Sequence, residues 1–308
     1  YMNKMVKDMI KAVRREINSG SWKSQLNYGE IVTNTNVYKI VKASTIENGI
    51  RRALSTGDFA LKSSQSTKVG VAQVLNRLTY QAALSHSRRV NTPIDKSGKL
   101  VPPRKLHGSS WGFICPAETP EGGSVGVVKN LSYMAHITVG SSVMPLQSHV
   151  LPHLIPVGDA SIEELATLVK VFVNGAWIGC TPDPSRCYSD LKKKKLSGAI
   201  NVYTSVAWDV SGGEIRLCGE AGRVTRPVFR VADGKLVATV ADSDNLSNGS
   251  KTWDDMMFDP VDGNAAIEYI DAAEQEQALI AMWPKDLVPG SKYTHCEIHP
   301  STIFGVIA

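Results

Sequence analysis

The spacing of apolar residues predicts helices in the first third of the chain. Between positions 2 and 13 apolar residues recur at intervals of three and four, which places them on one side of a helix that Asn18-Ser19-Gly20 ends. The same pattern predicts a second helix from Thr45 to Gly57 and a third from about Ser66 to Ser87. The polar, proline-containing segment Asn91–Arg104 is expected to be a loop.

Beyond about residue 105 the pattern favours strands. Asn174-Gly175 and Asp233-Gly234 each separate two apolar runs, which is a strong hairpin signal because a type I′ turn needs positive φ at both central residues. Lys192–Lys195 is interpreted as an exposed loop and Asp242–Lys251 as a linker. The predicted class is α+β: a helical segment is followed by small mixed and β-rich domains, as part of a larger multidomain subunit.

Charge is divided unevenly along the chain. The formal net charge is +5, yet residues 1–110 hold 19 Lys and Arg against 6 Asp and Glu, while the remainder holds 15 against 23. A basic first third is typical of a protein that meets a polyanion, although runs of charge are more often solvated helix faces.

The chain has neither an apolar run of the ~18 residues that a membrane span needs nor the apolar core of a signal peptide. We therefore expect a soluble, intracellular protein without a membrane partner. A start at Tyr1 and an apolar end at Ala308 suggest a piece of something longer.

Two short motifs suggest other chemistry. Gly122–Gly126 fits the G-x-S-x-G pattern of serine hydrolases with Ser124 as nucleophile, but the prolines just before it do not suit the strand that this motif requires. His295 and His299 have the spacing of a helical metal site, and Pro300 argues against a helix there. The five cysteines form no C-x-x-C pair and are expected to be buried free thiols.

A block of cations and carboxylates lies between residues 73 and 126. Arg88 and Arg89 can pair with phosphates, and loop lysines can contact a nucleic-acid backbone in a sequence-independent way. Glu118 and Glu121 lie in a turn stiffened by proline and glycine. The candidate nucleic-acid-binding residues are Gln73, Arg88, Arg89, Lys96, Lys99, Arg104 and Lys105. An autonomous nucleic-acid-binding module and a serine hydrolase are the alternative functions.

The stretch Leu106–Gly122 resembles the fork region of the second-largest subunit of multisubunit DNA-dependent RNA polymerases, and RNA polymerase II most closely. Other stretches resemble the same subunit in the same order: Val71–Arg77, Ser85–Ile94, Val128–Ser132, Val171–Gly175, Ala221–Pro227, Glu268–Ala272 and Thr294–Pro300. Gly123-Ser124-Val125 departs from the Gln-Ala-Cys of typical nuclear enzymes, which suggests a divergent protist or a large DNA virus as the source.

The resemblance implies four segments: the end of the protrusion (1–62), the fork (63–145), external domain 1 (146–245), and external domain 2 leading to the hybrid-binding region (246–308). It implies that Gln73, Arg88 and Arg89 face the RNA–DNA hybrid and that residues 91–104 form the fork loop at the separating downstream DNA. The residues implied for the active-centre wall are Glu118, Thr119, Pro120, Glu121 and Gly122.

The implied activity is template-directed RNA synthesis from NTPs by the whole enzyme. Its partners would be template and non-template DNA, nascent RNA, the largest subunit and other polymerase subunits. In this family the catalytic Mg²⁺ is held chiefly by the largest subunit, so we expect neither catalytic nor metal-binding residues in this chain. The expected location is the nucleus, or the cytoplasmic factory of a large DNA virus.

Overall fold

The fold mixes helices with sheets, and the predicted α+β class is confirmed. The structure is a computed structural model that describes residues 1–20, 33–59, 70–94, 98 and 100–308. These residues form two compact units, Tyr1–Arg77 and Leu78–Ala308. None of the helices among the described residues is long and apolar enough to cross a membrane.

The helices of the described residues are α1 (Met2–Asn18), α2 (Asn34–Ile40), α3 (Ser44–Thr56), α4 (Tyr80–Ser87), α5 (Met144–Val150), α6 (Ile162–Thr167), α7 (Pro184–Leu196), α8 (Val240–Ser247), α9 (Asp254–Met257) and α10 (Ala272–Gln277). The strands are β1 (Arg89–Asn91), β2 (Val128–Asn130), β3 (His136–Ile137), β4 (Ile155–Pro156), β5 (Val169–Val173), β6 (Ala176–Thr181), β7 (Ser205–Asp209), β8 (Glu214–Cys218), β9 (Val224–Ala232), β10 (Lys235–Leu236), β11 (Ile267–Asp271), β12 (Ile280–Ala281) and β13 (His295–Cys296).

The smaller unit contains the first two predicted helices, and both are confirmed. α1 packs against α2 and α3, and the ring of Tyr1 lies so close to Gly49 of α3 that any side chain at position 49 would collide with it. α3 ends where the sequence predicts, because Gly57 adopts φ +66° in the left-handed region that glycine tolerates.

The third predicted helix is wrong in its first part. Residues 70–79 are irregular with bends, and α4 begins only at Tyr80. The backbone N–H groups of Gly70 and Val71 donate to the carbonyl of Gly57, so they do not make the hydrogen bonds of a helix. Thr79 is extended and its hydroxyl accepts from the N–H of Ala82 at 3.0 Å, so it caps the helix start. Local capping thus outweighs the apolar spacing; residues 66–69 lie outside the described part.

Two larger sheets and a short ladder build the second unit. One sheet has the strand order β4-β6-β5-β8-β7, with β5 and β8 parallel, and its core side chains pack against α5 and α7. In the other sheet the nine-residue strand β9 pairs with β11, β3, β13 and β10. The ladder joins β1 to β2 and places Arg89 opposite Asn130.

Both predicted hairpins are confirmed. Asn174 and Gly175 have φ of 49° and 81°, and Asp233 and Gly234 have φ of 50° and 72°. A type I′ turn requires positive φ at both central residues, and this requirement is the basis on which the hairpins are predicted. The turns join β5 to β6 and β9 to β10.

Two segments expected to be irregular are helical instead. Lys192–Lys195 is the last turn of α7, where Lys195 is only 1% exposed because two glutamates bind its ammonium group. Asp242–Lys251 is largely α8, which Thr239 and Asp242 start with a reciprocal capping box. Both predictions are wrong because polar composition alone does not distinguish a loop from a helix whose polar residues form ion pairs or caps.

Candidate nucleic-acid interface

The acidic turn, Pro116–Gly126, is fixed at both ends by hydrogen bonds from its own residues. The thiol sulfur of Cys115 accepts from the N–H groups of Ala117 and Glu118 at 3.4 and 3.2 Å. The hydroxyl of Thr119 donates to the carbonyl of Val128 at 2.8 Å and accepts from the N–H of Gly126 at 3.0 Å. The turn is therefore closed onto β2, and the backbone of Glu118 and Thr119 is held in one place.

Glu118 connects the acidic turn to two other parts of the unit. One carboxylate oxygen accepts a short hydrogen bond from the hydroxyl of Ser85 in α4, and the backbone carbonyl accepts from the side-chain amide of Asn130 in β2 at 3.1 Å. The other carboxylate oxygen is buried, has no hydrogen-bond partner among the described residues, and lies against Gly305. By contrast, Pro120, Glu121 and Gly122 are exposed.

The two adjacent arginines Arg88 and Arg89 have different surroundings. One terminal nitrogen of Arg88 donates to the backbone carbonyls of Ser132, Tyr133 and Ala135 at 2.6, 3.1 and 3.0 Å. One terminal nitrogen of Arg88 is therefore bonded to the chain's own backbone, while its Nε is buried without a hydrogen-bond partner among the described residues. Arg89, in contrast, is exposed.

Arg104 and Lys105 differ in the same way. The guanidinium of Arg104 donates to the carbonyls of Gly123 and Val125 in the acidic turn at 2.7 and 3.0 Å, and to Leu100 at 3.1 Å. It thereby fastens the end of the predicted fork loop to the acidic turn. Lys105 is exposed and makes no ion pair among the described residues.

The last three predicted nucleic-acid-binding residues are Gln73, Lys96 and Lys99. Lys96 and Lys99 lie outside the described residues. Gln73 belongs to the smaller unit, where its side-chain amide donates to the carbonyl of Gly70 at 3.0 Å. The larger unit thus contains Arg88, Arg89, Arg104 and Lys105, of which Arg104 is bonded directly to the acidic turn.

A cleft of about 650 Å³ opens beside the acidic turn. Residues between Arg104 and Thr119 form part of its wall, and another part contains Arg223 and Asp271, which are joined by an ion pair of 2.9 Å. Lys105 and Lys129 also line it, and neither makes an ion pair among the described residues. The cleft therefore carries unneutralised positive charge.

Sequence reasoning missed Lys129. It lies between Val128 and Asn130, both of which are buried, and alternation along a strand sends its side chain to the other face. The alternating pattern Val128-Lys129-Asn130 could have revealed it. Because Arg89 is paired with Asn130, Arg89 and Lys129 lie on opposite faces of the β1–β2 ladder.

A buried ionic cluster (Lys192, Lys195, Glu268, Glu274 and His295) was also missed. Both lysine ammonium groups contact both glutamates, at distances between 2.5 and 3.1 Å, and His295 lies 3.2 Å from Glu268. Burial alone would raise the pKa of Glu268, but the two lysines outweigh it and hold that pKa well below its usual range. Burial likewise opposes the charge of Lys192, yet the two glutamates raise its pKa.

The structure bears on the two motifs that suggest other chemistry. Ser124 ends a 3₁₀ turn, Gly122–Ser124, that no strand precedes, so the strand-turn-helix of a hydrolase nucleophile is absent here. His295 lies in a strand beside Glu268, and His299 accepts from the N–H of Ser301 at 3.2 Å, so both histidines have hydrogen-bond partners and neither is in a helix.

The cysteines are free thiols and mostly buried, as predicted. Burial raises the pKa of Cys187 and of Cys296 to about 11. Among the described residues, no group of three or more His, Cys, Asp or Glu side chains is placed to hold a metal ion. The described residues therefore do not fit a magnesium site.

Three successive stretches match families of known proteins. They are described as RNA polymerase Rpb2 domain 3 (residues 73–137), domain 4 (171–232) and domain 5 (253–300). The chain is 44% identical over 282 residues to the DNA-directed RNA polymerase II subunit RPB2 of Encephalitozoon cuniculi, covering 87% of this chain and 24% of that protein. It is 40% identical over 287 residues to DNA-directed RNA polymerase II subunit 2 of Arabidopsis thaliana, covering 89% and 24%.

A third relative, subunit RPB2 of Eremothecium gossypii, is 35% identical over 353 residues, covering 99% of this chain and 27% of that protein. The matches to Rpb2 domains 3, 4 and 5 follow one another along the chain, and together with the fold they define a polymerase-subunit segment of mixed helix and sheet. The chain belongs to the family of second-largest subunits of DNA-directed RNA polymerases. It spans about a quarter of the length of these relatives.

Proposed function

We propose that the chain acts within a multisubunit DNA-directed RNA polymerase of the RNA polymerase II type, which synthesises RNA from NTPs on a DNA template. Its partners are template and non-template DNA, nascent RNA, the largest subunit and other polymerase subunits. The ordered matches to domains 3, 4 and 5 of Rpb2 support this function.

Within this function the cations divide into two roles. Arg89, Lys105 and Lys129 contact backbone phosphates, whereas Arg88 and Arg104 position the segments that carry them. The observation that carries this division is that backbone carbonyls accept hydrogen bonds from Arg88 and Arg104, whereas Arg89 and Lys105 are exposed. Lys96, Lys99 and Gln73 are kept in the proposal as further nucleic-acid contacts.

Glu118–Gly122 is proposed to form part of the active-centre wall. The hydrogen bonds of Thr119 and Cys115 support this role because they fix the turn before any partner binds. Fixed polar groups need no reorganisation when a substrate arrives. Magnesium is assigned to the largest subunit, where it would act as a Lewis acid, and the described residues of this chain take no part in holding it.

The division into protrusion (1–62), fork (63–145), external domain 1 (146–245) and external domain 2 (246–308) is proposed on the same grounds. Each of the three matched stretches falls within one of the last three segments. Work on a nuclear template would place the enzyme in the nucleus.

The test is the lifetime of elongation complexes during a salt titration of the assembled polymerase. We expect the double variant Arg89→Gln, Lys105→Gln to shorten the lifetime and to flatten its dependence on salt, because two phosphate contacts are lost. Lys235→Gln with Lys292→Gln, both exposed lysines of the same unit, is the matched control and should behave like the unmodified enzyme.

A double variant whose complexes keep the lifetime and salt dependence of the unmodified enzyme would contradict the assignment of Arg89 and Lys105. Tight binding of the isolated chain to an RNA–DNA hybrid at physiological salt would instead favour an autonomous nucleic-acid-binding module.

A further inference from the structure

Helix α1 carries a basic face that the proposed site does not use. Successive helical residues are rotated by about 100°, so cations three, four and seven residues apart fall on one side. With this rotation the five cations of α1 lie within an arc of roughly 100° around the helix axis. All five are exposed. They are Lys4, Lys7, Lys11, Arg14 and Arg15, which together we name the basic face.

The opposite side of α1 is apolar and packs on the rest of the unit. Met5, Met9 and Val13 are partly covered there, and Tyr1 lies on Gly49 of α3. The orientation of the helix is therefore set by its apolar side, and the basic face must point away from α3.

Among the described residues, no cation of the basic face forms a salt bridge. The described residues of the smaller unit (1–20, 33–59 and 70–77) contain one salt bridge, and it joins Glu47 to Arg51 within α3. Neighbouring like charges three or four residues apart each destabilise a helix by about 0.2–0.5 kcal/mol. The first turn also contains Lys4 and no acidic residue, which the helix dipole disfavours. Asp8, four residues after Lys4 and three before Lys11, offsets part of this repulsion. A bound anion would relieve the rest.

We propose that the basic face of α1 binds the phosphate backbone of a DNA duplex. The inference rests on the proposed function, in which the chain works on nucleic acid, and adds a contact surface in the smaller unit. From Lys4 to Arg15 the face extends about 16 Å along the helix axis. A duplex presents one phosphate charge for roughly every 1.7 Å of its axis, so several phosphates lie within reach of the five flexible cations.

The chemistry of the face favours nucleic acid over an acidic protein. The centres of protein interfaces are depleted in lysine and enriched in aromatic residues. The basic face has no aromatic or apolar residue between its cations, since Asn18 is the other residue in the same arc. Contact would therefore be made through charge alone and would not depend on base sequence.

The test compares two triple variants in the assembled polymerase, with binding to a labelled DNA duplex measured between about 50 and 200 mM salt. Lys4→Gln, Lys7→Gln, Lys11→Gln removes three cations of the basic face. Its plot of log affinity against log salt should become shallower by about 2 to 3, since each phosphate contact contributes roughly 0.9 to the slope. Lys235→Gln, Lys285→Gln, Lys292→Gln removes three exposed cations of the larger unit and should leave the slope unchanged.

The Arg89→Gln, Lys105→Gln variant, measured in parallel, separates this inference from the proposed function. If that variant flattens the slope and the α1 variant does not, the proposed function stands and the basic face does not bind DNA. If neither changes the slope, both ideas fail. Failure of the α1 variant to assemble with the other subunits would show that an acidic protein surface occupies the face, and would overturn the proposal.

Discussion

The guanidinium of Arg226 donates two parallel hydrogen bonds, of 2.7 and 2.9 Å, to the carboxylate of Glu297. Both residues are almost fully buried, at 3% and 4% exposure. The indole N–H of Trp111 donates to the same carboxylate at 3.0 Å, and the backbone at Gly112 lies directly on the Arg226 side chain. The Arg226–Glu297 ion pair thus joins strand β9 to the segment after β13. Through Trp111 and Gly112 it also contacts the stretch Leu106–Gly122.

Arg226→Gln should lower the free energy of unfolding by about 3–5 kcal/mol, because it leaves the carboxylate of Glu297 buried without a cation. Urea unfolding followed by tryptophan fluorescence would measure the loss. Arg216→Gln is the control: Arg216 pairs with Glu214 on the surface and is 61% exposed, so the change should cost less than about 1 kcal/mol. Equal losses in the two variants would refute the account of the Arg226 pair.

Lys195→Met should also destabilise the chain by about 3–5 kcal/mol. The ammonium of Lys195 contacts Glu268 and Glu274 and donates to the carbonyl of Tyr269 at 2.8 Å, so its removal leaves buried acceptors unpaired. Lys193→Met, two residues earlier on the exposed side of α7, should change stability by less than about 0.5 kcal/mol. Thermal unfolding of both variants compares them; a Lys193→Met loss as large as that of Lys195→Met would contradict the cluster.

Stability should fall in acid because of Glu268. Its pKa in the folded protein is lower than in the unfolded chain, so it stabilises the fold above the unfolded pKa of about 4.3. That contribution is lost as the pH falls from there through the lower folded pKa. We expect Glu268→Gln to be less stable than the unmodified chain at pH 7 and to lose less stability on acidification. Parallel stability curves from neutral to acidic pH would contradict this.

Gly126→Ala should destabilise the acidic turn. Gly126 has φ +69°, and a Cβ there would collide with the backbone of Arg104, so a cost of about 1–3 kcal/mol is expected. Gly123→Ala in the same turn is the control, since a Cβ at position 123 meets open space. Hydrogen exchange at the Gly126 amide, which donates to Thr119, should accelerate in Gly126→Ala and not in Gly123→Ala.

The helices and turns that were predicted correctly from the sequence are those determined by neighbouring residues along the chain. The end of α3 at Gly57 and the turns at Asn174-Gly175 and Asp233-Gly234 depend on positive φ, which few residues tolerate. The α1 helix was predicted because its apolar stripe is continuous. These signals require no knowledge of distant residues.

The errors concern residues whose structure is decided by distant partners. Lys195 is buried only because Glu268 and Glu274, more than seventy positions later, supply the compensating charge. Arg88 and Arg104 stay predicted nucleic-acid contacts, and sequence does not show that carbonyls 19 to 47 residues away accept hydrogen bonds from their guanidinium groups. The attachment of the acidic turn to Ser85 and Asn130 likewise depends on the tertiary fold.

The central claim is that this chain works within a template-directed RNA polymerase. Its most direct test is RNA synthesis by the complex that copurifies with an affinity-tagged copy of the natural full-length subunit. The account predicts incorporation of labelled NTPs that requires a DNA template, with RNA complementary to that template. Recovery of the tagged subunit in a stable complex that makes no template-dependent RNA would contradict it.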